Sequence, residues 1–303
     1  MTEEPNHTEP STADVPAALD TETLLAIKNV VVPLARDLGR WAQDQSQAHY
    51  RGEHDVNVSA KTSPGDVVTA ADHEVQRRLV EALQPAYPSF GFLGEEGLSD
   101  YDPSRLTWVI DPIDGTHNFV RAYPGFAVSI GLVEHGESVL GVIYDAATDS
   151  VTWAAKGTGA WREAAAGGEG QRLQVARAKP LTHALLTTGF TTESAANDFH
   201  QRAFVSLARN SAGMRQSGSA CRDLVFVAAG QVDVYWQFGV RAWDVAAGLV
   251  IVREAGGVAH LSDVPGAKED PSAWLRAPGM GVIAGEPSMV EEALRIVGAC
   301  REG

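Results

Sequence analysis

The sequence predicts a fold that mixes helices and strands and combines the α+β and α/β classes. From residue 90 to residue 154, short apolar runs follow one another and are separated by turn residues, which is typical of a meandering antiparallel sheet. From residue 184 onward, strand-like runs alternate with longer runs at helical spacing. This change of pattern predicts an α+β lobe at about residues 20–183 and an α/β lobe at about residues 184–303.

The first lobe is predicted to begin with two helices, at residues 23–42 and 70–84. Pro33 is expected to bend the first of them. Strands are predicted at residues 90–93, 106–110, 126–134, 138–144 and 151–154, with the third and fourth joined as a hairpin. The small-residue segment 164–170 predicts an exposed loop.

The second lobe is predicted to begin with a strand at residues 184–188. Four helices and three strands then alternate. The helices are predicted at residues 198–209, 219–229, 243–254 and 288–297, and the strands at residues 232–236, 257–260 and 281–284.

The composition limits the class of protein. The chain has 303 residues, 44% of them hydrophobic, which suffices for a large core. No apolar run has the length of a membrane span and the N-terminus lacks a signal-peptide pattern, so a cytoplasmic location is expected. The net charge of −15 disfavours nucleic acid and anionic membranes as partners. The two cysteines, Cys221 and Cys300, would allow one disulfide, although a reducing compartment is the simpler interpretation.

Part of the negative charge is concentrated at the N-terminus. Residues 1–22 contain six Asp and Glu and no Lys or Arg, which leaves −9 for the rest of the chain. The segment is rich in Pro, Thr and Ala and has no apolar periodicity. Residues 1–19 are therefore predicted to form a flexible acidic tail.

The segment 108–116 (WVIDPIDGT) places two carboxylates, Asp111 and Asp114, directly after an apolar strand. The proline between them predicts a sharp turn at the strand end, so that both carboxylates can face one point. Gly115 allows close approach of the backbone, and the amides of Gly115 and Thr116 can face an anion at the start of a short helix. A β-turn with Asx side-chain bonds would explain the same residues equally well.

Three further acidic residues stand in comparable places. Glu95 follows an apolar run within Gly-Glu-Glu-Gly, a pattern that also suits a solvated turn. Asp72 and Asp244 each lie at the start of a predicted helix, where helix capping explains them as well. By contrast, His117 is expected to be a surface residue and Cys221 a packing residue.

A shared site would explain these carboxylates together. Its members are Glu95, Asp111, Asp114 and Asp244. Such a cluster repels a phosphate and raises its own pKa values, and divalent cations remove both difficulties. Oxygen ligands without a His/Cys cluster indicate Mg²⁺ rather than zinc. Two ions about 3.5–4 Å apart could activate a water and stabilise the leaving oxygen of a phosphate ester.

The sequence resembles the inositol monophosphatase family over essentially all of residues 20–303. The resemblance rests on four ordered motifs: Gly94-Glu95-Glu96, residues 111–116 (DPIDGT), Gly218-Ser219-Ala220 and residues 243–248 (WDVAAG). It implies a layered αβαβα sandwich of the sugar-phosphatase type, two or three Mg²⁺ ions, lithium sensitivity and a homodimer. The implied substrate is a small-molecule phosphate ester, with inositol 1-phosphate as the first expectation.

The resemblance also implies the metal ligands. A first ion would be held by Glu95, Asp111 and the backbone carbonyl of Ile113. A second would be held by Asp111, Asp114 and Asp244, so that Asp111 bridges both. A third, weaker ion is implied at Glu95 through waters.

The remaining site residues follow from the same resemblance. Thr116, hydrogen-bonded to Asp72, would help Glu95 to orient and deprotonate the attacking water. The amides of Gly115 and Thr116 would bind phosphate oxygens, and Lys61 would give electrostatic support near the ions. The substrate alcohol would face Asp114, Gly218, Ser219, Ala220 and Gln237.

One position departs from the family pattern. Inositol-directed members commonly carry a glutamate seven residues before the aspartate of the Trp-Asp motif, where this sequence has Gln237, on the predicted loop that leads to Asp244. An amide still hydrogen-bonds hydroxyls, but the charge-assisted bond is lost.

The substrate alcohol therefore stays open. The alternatives are histidinol phosphate, fructose 1,6-bisphosphate and adenosine 3′,5′-bisphosphate, and the absence of a basic cluster near the motifs disfavours the fructose bisphosphate. An alternative of another class is a binding module that keeps the fold without catalysis. Loss of a metal ligand would mark such a module, and no ligand is lost.

Overall fold

The computed structural model describes residues 19–61, 67–164, 170–190 and 192–302. Apart from Leu19, the predicted acidic tail lies outside the described residues, as does most of the loop predicted at residues 164–170. No helix in the described ranges combines the length and the apolar character that a membrane span needs.

The N-terminal part of the chain contains three helices and ten strands among the described residues. The helices are α1 (Thr21–Tyr50), α2 (Ala70–Ala86) and α3 (Thr116–Val120). The strands are β1 (Ser59–Ala60), β2 (Val67–Val68), β3 (Gly91–Gly94), β4 (Ser99–Asp100), β5 (Thr107–Asp114), β6 (Ala127–Glu134), β7 (Glu137–Asp145), β8 (Ser150–Ala155), β9 (Ala160–Glu163) and β10 (Gln171–Arg172).

The C-terminal part alternates helices and strands. Its strands are β11 (Leu185–Thr188), β12 (Gly213–Arg215), β13 (Val234–Val240), β14 (Val258–Ser262) and β15 (Met280–Gly285). Its helices are α4 (Thr192–Ala195), α5 (Asp198–Arg209), α6 (Ala220–Ala228), α7 (Ala242–Glu254) and α8 (Pro287–Glu302).

Helix α1 is longer than the sequence predicted. Asp20 caps it by accepting a hydrogen bond from the Thr23 amide at 2.8 Å, and Pro33 lies inside it without ending it. Its last turns are polar, so apolar spacing could not reveal them, and they are held by a tertiary contact. There the buried Ser46 hydroxyl donates to the carbonyl of Phe119 at 2.6 Å.

Two large sheets organise the molecule. The first has eight strands in the order β10-β9-β8-β7-β6-β5-β3-β4, antiparallel except where β3 runs parallel to β5. The second has five strands in the order β12-β11-β13-β15-β14. In it β11 is parallel to both of its neighbours, and β15 is antiparallel to both of its own.

The helices complete five layers. Helices α1 and α2 pack on the outer face of the first sheet, and α6 and α7 lie between the two sheets. Helices α5 and α8 cover the outer face of the second sheet. The fold is therefore the αβαβα sandwich that the family resemblance implied.

Helix α7 packs directly against the backbone of the first sheet. It is buried on nearly every side, as the apolar run Val245–Val252 requires. A Cβ atom at Gly141 of β7 would lie 2.2 Å from the carbonyl oxygen of Ala247, and one at Gly131 of β6 would lie 2.9 Å from the Ala246 Cβ. These two glycines therefore set how closely the middle layer approaches the sheet.

We predict that Gly141→Ala destabilises the protein by about 1–3 kcal/mol or more, because the new methyl group meets backbone atoms that cannot rotate away. The matched control is Gly298→Ala in α8, where no atom lies within 4 Å of the added Cβ. That change should be neutral or stabilise by up to about 1 kcal/mol. Urea unfolding of both variants measures the difference, and equal effects would contradict the close packing of α7.

The middle layer also buries a carboxyl group, that of Asp223 on α6. This residue is 1% exposed, and one of its oxygens has no hydrogen-bond partner in the part of the chain that the structure describes. Burial raises its pKa from 3.8 to about 7, against hydrogen bonds from Ser217 and Thr187 that lower it. Between these two values the folded chain binds more protons than the unfolded chain. The contribution of Asp223 to stability is therefore complete below its unfolded pKa and is lost as the pH rises toward about 7.

Asp223→Asn should remove this pH dependence while keeping the shape of the side chain. In metal-free protein, we expect the Tm of the variant to rise relative to that of the wild type between about pH 4 and about pH 8. Thermal melts of both proteins across that range give the difference. A difference that stays constant with pH would show that the pKa of Asp223 is not raised.

Candidate active site

A β-bulge brings the two aspartates of the DPIDGT motif together. The sequence predicted that the strand ends at Ile110 in a sharp turn, but β5 continues to Asp114. Asp111 pairs with Ser129 and Asp114 with Ala127, so three steps along β5 match two along β6. Residues three apart on a regular strand point to opposite faces, and the extra residue restores a common face. The proline inside the bulge lacks the N–H that a regular ladder would use.

Asp111 lies at the centre of an acidic cluster. The residue is 2% exposed, and its Oδ1 has no hydrogen-bond partner among the described residues. Burial raises the pKa of Asp111 well above its usual range, and the negative charges of Glu95, Asp114 and Asp244 raise it further. The four carboxylates that the sequence singled out therefore share one site.

Glu95 enters this site from the loop that follows β3. The Lys61 ammonium donates to Glu95 at 2.8 Å and to Glu96 at 2.5 Å. Burial raises the pKa of Glu95, and the charge of Lys61 partly offsets this effect. Burial disfavours the charged form of Lys61, but the two glutamates outweigh it and raise the pKa of the lysine. Lys61 thus lies beside Glu95, and its electrostatic role near the ions stays a prediction.

Asp114 is held by the N-terminal turn of α6. Its carboxylate accepts hydrogen bonds from the Ser219 hydroxyl at 2.6 Å, the Cys221 amide at 2.6 Å and the Ala220 amide at 3.3 Å. Burial raises the pKa of Asp114, and these donors lower it. Ser219 and Ala220 therefore position the Asp114 carboxylate, and their expected place beside the substrate alcohol stays a prediction.

Asp244 and Asp72 combine a capping role with a place in the site. Asp244 accepts from the Arg241 amide at 2.7 Å, and burial together with the charges of Asp114 and Glu95 raises its pKa well above the usual range. Asp72 accepts from the amide and the hydroxyl of its N-cap residue, Thr69. Burial raises the pKa of Asp72 to about 7. For both residues the capping interpretation is confirmed, and their roles in the site stay predictions.

Thr116 connects Asp72 to the DPIDGT motif. Its hydroxyl lies 3.4 Å from Asp72 Oδ1 and 3.2 Å from the carbonyl oxygen of Ile113. Gly115, the N-cap of α3, has a φ of +97°, and a Cβ there would lie 2.9 Å from the carbonyl oxygen of Gly218. The two glycine-containing motifs therefore touch through their backbones. His117, the next residue of α3, is exposed as predicted.

The sequence predicted that Gln237 lies on a loop, and this prediction is wrong. It lies inside β13 and pairs with Val282 of β15. The strand continues to Val240 because β15 supplies an antiparallel partner along its whole length, with a bulge near its end. The side-chain oxygen of Gln237 accepts a hydrogen bond from the Tyr235 hydroxyl at 3.0 Å.

The acidic cluster suits hard divalent cations. Its donors are carboxylate oxygens, and the unpartnered Oδ1 of Asp111 is the kind of buried atom that a cation would satisfy. In the described residues, no three acidic, His or Cys side chains are arranged so that they could hold a metal ion together. The physical reason is that Asp114 turns toward α6, Asp244 toward Arg241 and Glu95 toward Lys61.

Three residues in this region were given no role in the site by the sequence analysis. Glu96 shares Lys61 with Glu95, the Cys221 amide holds Asp114, and Tyr235 binds Gln237. The alternation of strand residues could have identified Tyr235, which is two positions from Gln237 and therefore on the same face. Cys221 contributes through its backbone, which no side-chain pattern reveals.

Comparisons with known proteins agree with this geometry. The family model described as the inositol monophosphatase family matches residues 27–293. Inositol monophosphatase 1 of Sus scrofa is 36% identical over 250 residues, covering 79% of this chain and 84% of the relative. The crystal structure of extragenic suppressor protein suhB from Bartonella henselae has a TM-score of 0.75 and 31% identity, covering 90% of this chain and 98% of that one.

A third similar structure contains a ligand. Inositol monophosphate-bound SaIMPase-II, from Staphylococcus aureus, has a TM-score of 0.72 and 25% identity and covers 92% of this chain and 97% of that one. The same staphylococcal protein has also been solved with 2′AMP bound.

Enzymes of the matched family generally depend on a metal, in accord with the buried carboxylates. The family match covers most of the chain, and the bulged DPIDGT strand and the acidic cluster lie within it. This chain therefore belongs to the inositol monophosphatase family and is a phosphoric monoester hydrolase.

Proposed function

We propose that the chain hydrolyses inositol 1-phosphate, or a closely related small phosphate monoester, with the help of two or three Mg²⁺ ions. The observation that carries this proposal is the buried Asp111 carboxylate, one oxygen of which has no partner, among three other carboxylates. Such a group is costly to bury unless a cation binds it. The inositol monophosphate-bound staphylococcal relative supports the choice of alcohol.

The ions would be held by oxygen ligands of the cluster. Glu95, Asp111 and the carbonyl of Ile113 would hold the first, and a third, weaker ion would bind at Glu95 through waters. Asp111, Asp114 and Asp244 would hold the second. The negative charges of Glu95, Asp114 and Asp244 support this assignment, because each of them raises the pKa of Asp111. Bound there, Mg²⁺ supplies charge neutralisation and activation of water.

The chain's own groups would manage the proton of the attacking water. The Thr116 hydroxyl lies 3.4 Å from Asp72 Oδ1, so it can donate its proton to Asp72. The hydroxyl oxygen of Thr116 would then accept a hydrogen bond from the attacking water. Glu95 would be the second acceptor, with Lys61 fixing its carboxylate at 2.8 Å. Together they would orient the water toward the phosphorus.

Backbone amides would bind the ester. Those of Gly115 and Thr116, at the start of α3, would face the phosphate oxygens. The alcohol would face Asp114, Gly218, Ser219, Ala220 and Gln237. The contact of Gly115 with Gly218 supports a single pocket for phosphate and alcohol.

Histidinol phosphate and adenosine 3′,5′-bisphosphate remain the alternative substrates, with fructose 1,6-bisphosphate less favoured. The structure with 2′AMP bound belongs to the staphylococcal relative and supports a nucleotide alcohol as the second choice. We further propose lithium sensitivity, a homodimer and a cytoplasmic location. The net charge of −15 supports the proposal that nucleic acids and membranes are not partners of this protein.

We also propose two lobes that meet near residues 183 and 184. The strands of the first large sheet end at Arg172, and those of the second begin at Leu185, which supports this division.

Phosphate release from inositol 1-phosphate should require Mg²⁺, fall when Ca²⁺ replaces it and fall in millimolar Li⁺. The reason is that an all-carboxylate site selects hard cations by size and geometry. Equal concentrations of KCl control for ionic strength in the lithium series. Full activity in excess EDTA would refute the metal requirement.

Asp111→Asn should lower kcat more than ten-fold, a barrier increase above about 1.4 kcal/mol, while the circular dichroism spectrum and the fold are kept. An amide at this position removes charge from both proposed ions. The control is Asp149→Asn, an exposed carboxylate paired with Arg40 of α1, which should keep its turnover. If Asp111→Asn retained more than a tenth of the wild-type kcat, Asp111 would be structural.

A further inference from the structure

A pocket that is separate from the acidic cluster lies at the C-terminal end of α7. Its volume is about 280 Å³, and it is enclosed by the β6–β7 turn, α7, β14 and the short 3₁₀ helix Ala273–Arg276. Arg253 lines this pocket from the last turn of α7, whereas Asp244 lies in the first turn of the same helix. Nine positions separate the two residues, which is about 14 Å along a helix axis. The pocket is therefore distinct from the acidic site.

A bulge in β7 turns Ser138 toward this pocket. Leu132 of β6 pairs with Leu140 of β7. The next residue of β6, Val133, pairs with Ser138, so β7 contains one extra residue at this point. Residues directly opposite each other share a face, and Val133 packs into the core on the α7 side of the sheet. Without the extra residue, Ser138 would share the face of Leu140, which packs with α1.

The Ser138 hydroxyl is a buried polar group without a partner. The residue is 3% exposed and lines the pocket, and its Oγ has no hydrogen-bond partner in the described part of the chain. Buried hydroxyls are nearly always hydrogen-bonded, because the loss of water without a replacement costs free energy. A polar ligand in the pocket would supply the missing partner.

The charge of the pocket is positive. Arg253 and His260 are the residues that can carry a charge among the described residues of its lining. The Arg253 guanidinium forms no ion pair with another described residue. Its planar fork matches the two oxygens of a carboxylate. One permanent cation balances one negative charge, whereas a dianion would keep an excess charge in a protein whose net charge is already −15.

The remaining wall is apolar and held in place. Leu249, Leu261 and Trp274 contribute to it. Trp274 Nε1 donates a hydrogen bond to the carbonyl oxygen of Gly136 at 2.9 Å, which ties the wall to the β6–β7 turn. A Cβ atom at Gly136 would lie 2.8 Å from the carbonyl oxygen of Pro271, so the turn packs directly on the facing loop. The pocket is thus preformed, and its apolar wall favours a ligand with an apolar body.

We propose that this pocket is a second ligand site, which binds a small organic monocarboxylate with an apolar body. The carboxylate would be bound by the Arg253 guanidinium and the Ser138 hydroxyl. The body would lie against Leu249, Leu261 and Trp274. The described lining of this pocket includes none of the four carboxylates of the acidic site, so the inference goes beyond the proposed phosphatase function and does not rest on it.

Fluorine NMR tests the ligand class. The probe is para-(trifluoromethyl)benzoate, titrated into the full-length protein at pH 8 in excess EDTA, and its signal should change in a saturable way. The neutral analogue para-(trifluoromethyl)benzyl alcohol should bind about ten-fold more weakly or worse, because it lacks the charge-assisted hydrogen bonds. Trifluoroacetate keeps the carboxylate without the ring and should also bind more weakly. The doubly charged para-(trifluoromethyl)phenylphosphonate should bind no more tightly than the benzoate.

Three variants locate the bound probe. Arg253→Gln should weaken benzoate binding about ten-fold or more. The matched control is Arg209→Gln, which changes another exposed arginine in the last turn of a helix and should leave binding unchanged. Ser138→Ala should weaken binding about three-fold or more without lowering the Tm of the ligand-free protein, because it removes a buried hydroxyl that has no partner. A serine with a merely structural role would lower the Tm and leave binding unchanged.

The opposite results would overturn the site. If no saturable binding of the benzoate is seen, the pocket holds water alone. Equal effects of the two arginine variants would place the probe elsewhere on the protein. Tighter binding of the phosphonate than of the benzoate would refute the choice of a monocarboxylate. These measurements use neither metal nor turnover, so their failure is distinct from a failure of the proposed phosphatase function.

Discussion

Two buried carboxylates, Asp111 and Asp114, and two half-buried ones, Glu95 and Asp244, lie together at the acidic site, and the repulsion among them is the constraint to which the surrounding structure responds. Glu95 is held by a lysine, Asp114 by the amides of α6, and Asp244 by a backbone N–H. Asp111 keeps an oxygen without a partner. The protein thus offsets most of the burial cost with its own donors and leaves one oxygen of Asp111 without a partner among the described residues.

The donors come from the ends of the same helices that form the core. Helix α6 begins at Ala220, beside Asp114, and α7 carries Asp244 in its first turn. Both helices lie between the two sheets, and α7 rests on the glycines of β6 and β7. A shift of α7 by a fraction of an ångström would therefore move Asp244 relative to β5. The packing of the middle layer therefore also determines the geometry of the acidic site.

The hydrogen bond between Tyr235 and Gln237 shows how a buried side chain can set the orientation of a neighbouring amide. Gln237 alone is a donor and an acceptor, and either end could face a ligand. A fully buried phenol two residues earlier removes that freedom, because its proton has to be accepted. The orientation of the Gln237 amide therefore depends on the burial of Tyr235 in the core.

The sequence by itself was sufficient to identify the acidic residues, the order of most helices and strands and the layered class of the fold. Hydrophobic periodicity reports which face of a segment is buried, and the motifs DPIDGT and WDVAAG are contiguous in the chain. Hydrophobic periodicity did not predict short edge strands such as β10 and β12, because two or three residues are too few to show a period.

Only the tertiary structure decided how the motif residues are used. Whether Asp111 and Asp114 share a face depends on the register between β5 and β6, and the bulge is visible only in that pairing. Whether Gln237 lies on a strand depends on β15, which follows it in the chain by more than forty residues. The polarity of its amide depends on the burial of Tyr235. These are contacts between distant segments, and local sequence patterns do not contain them.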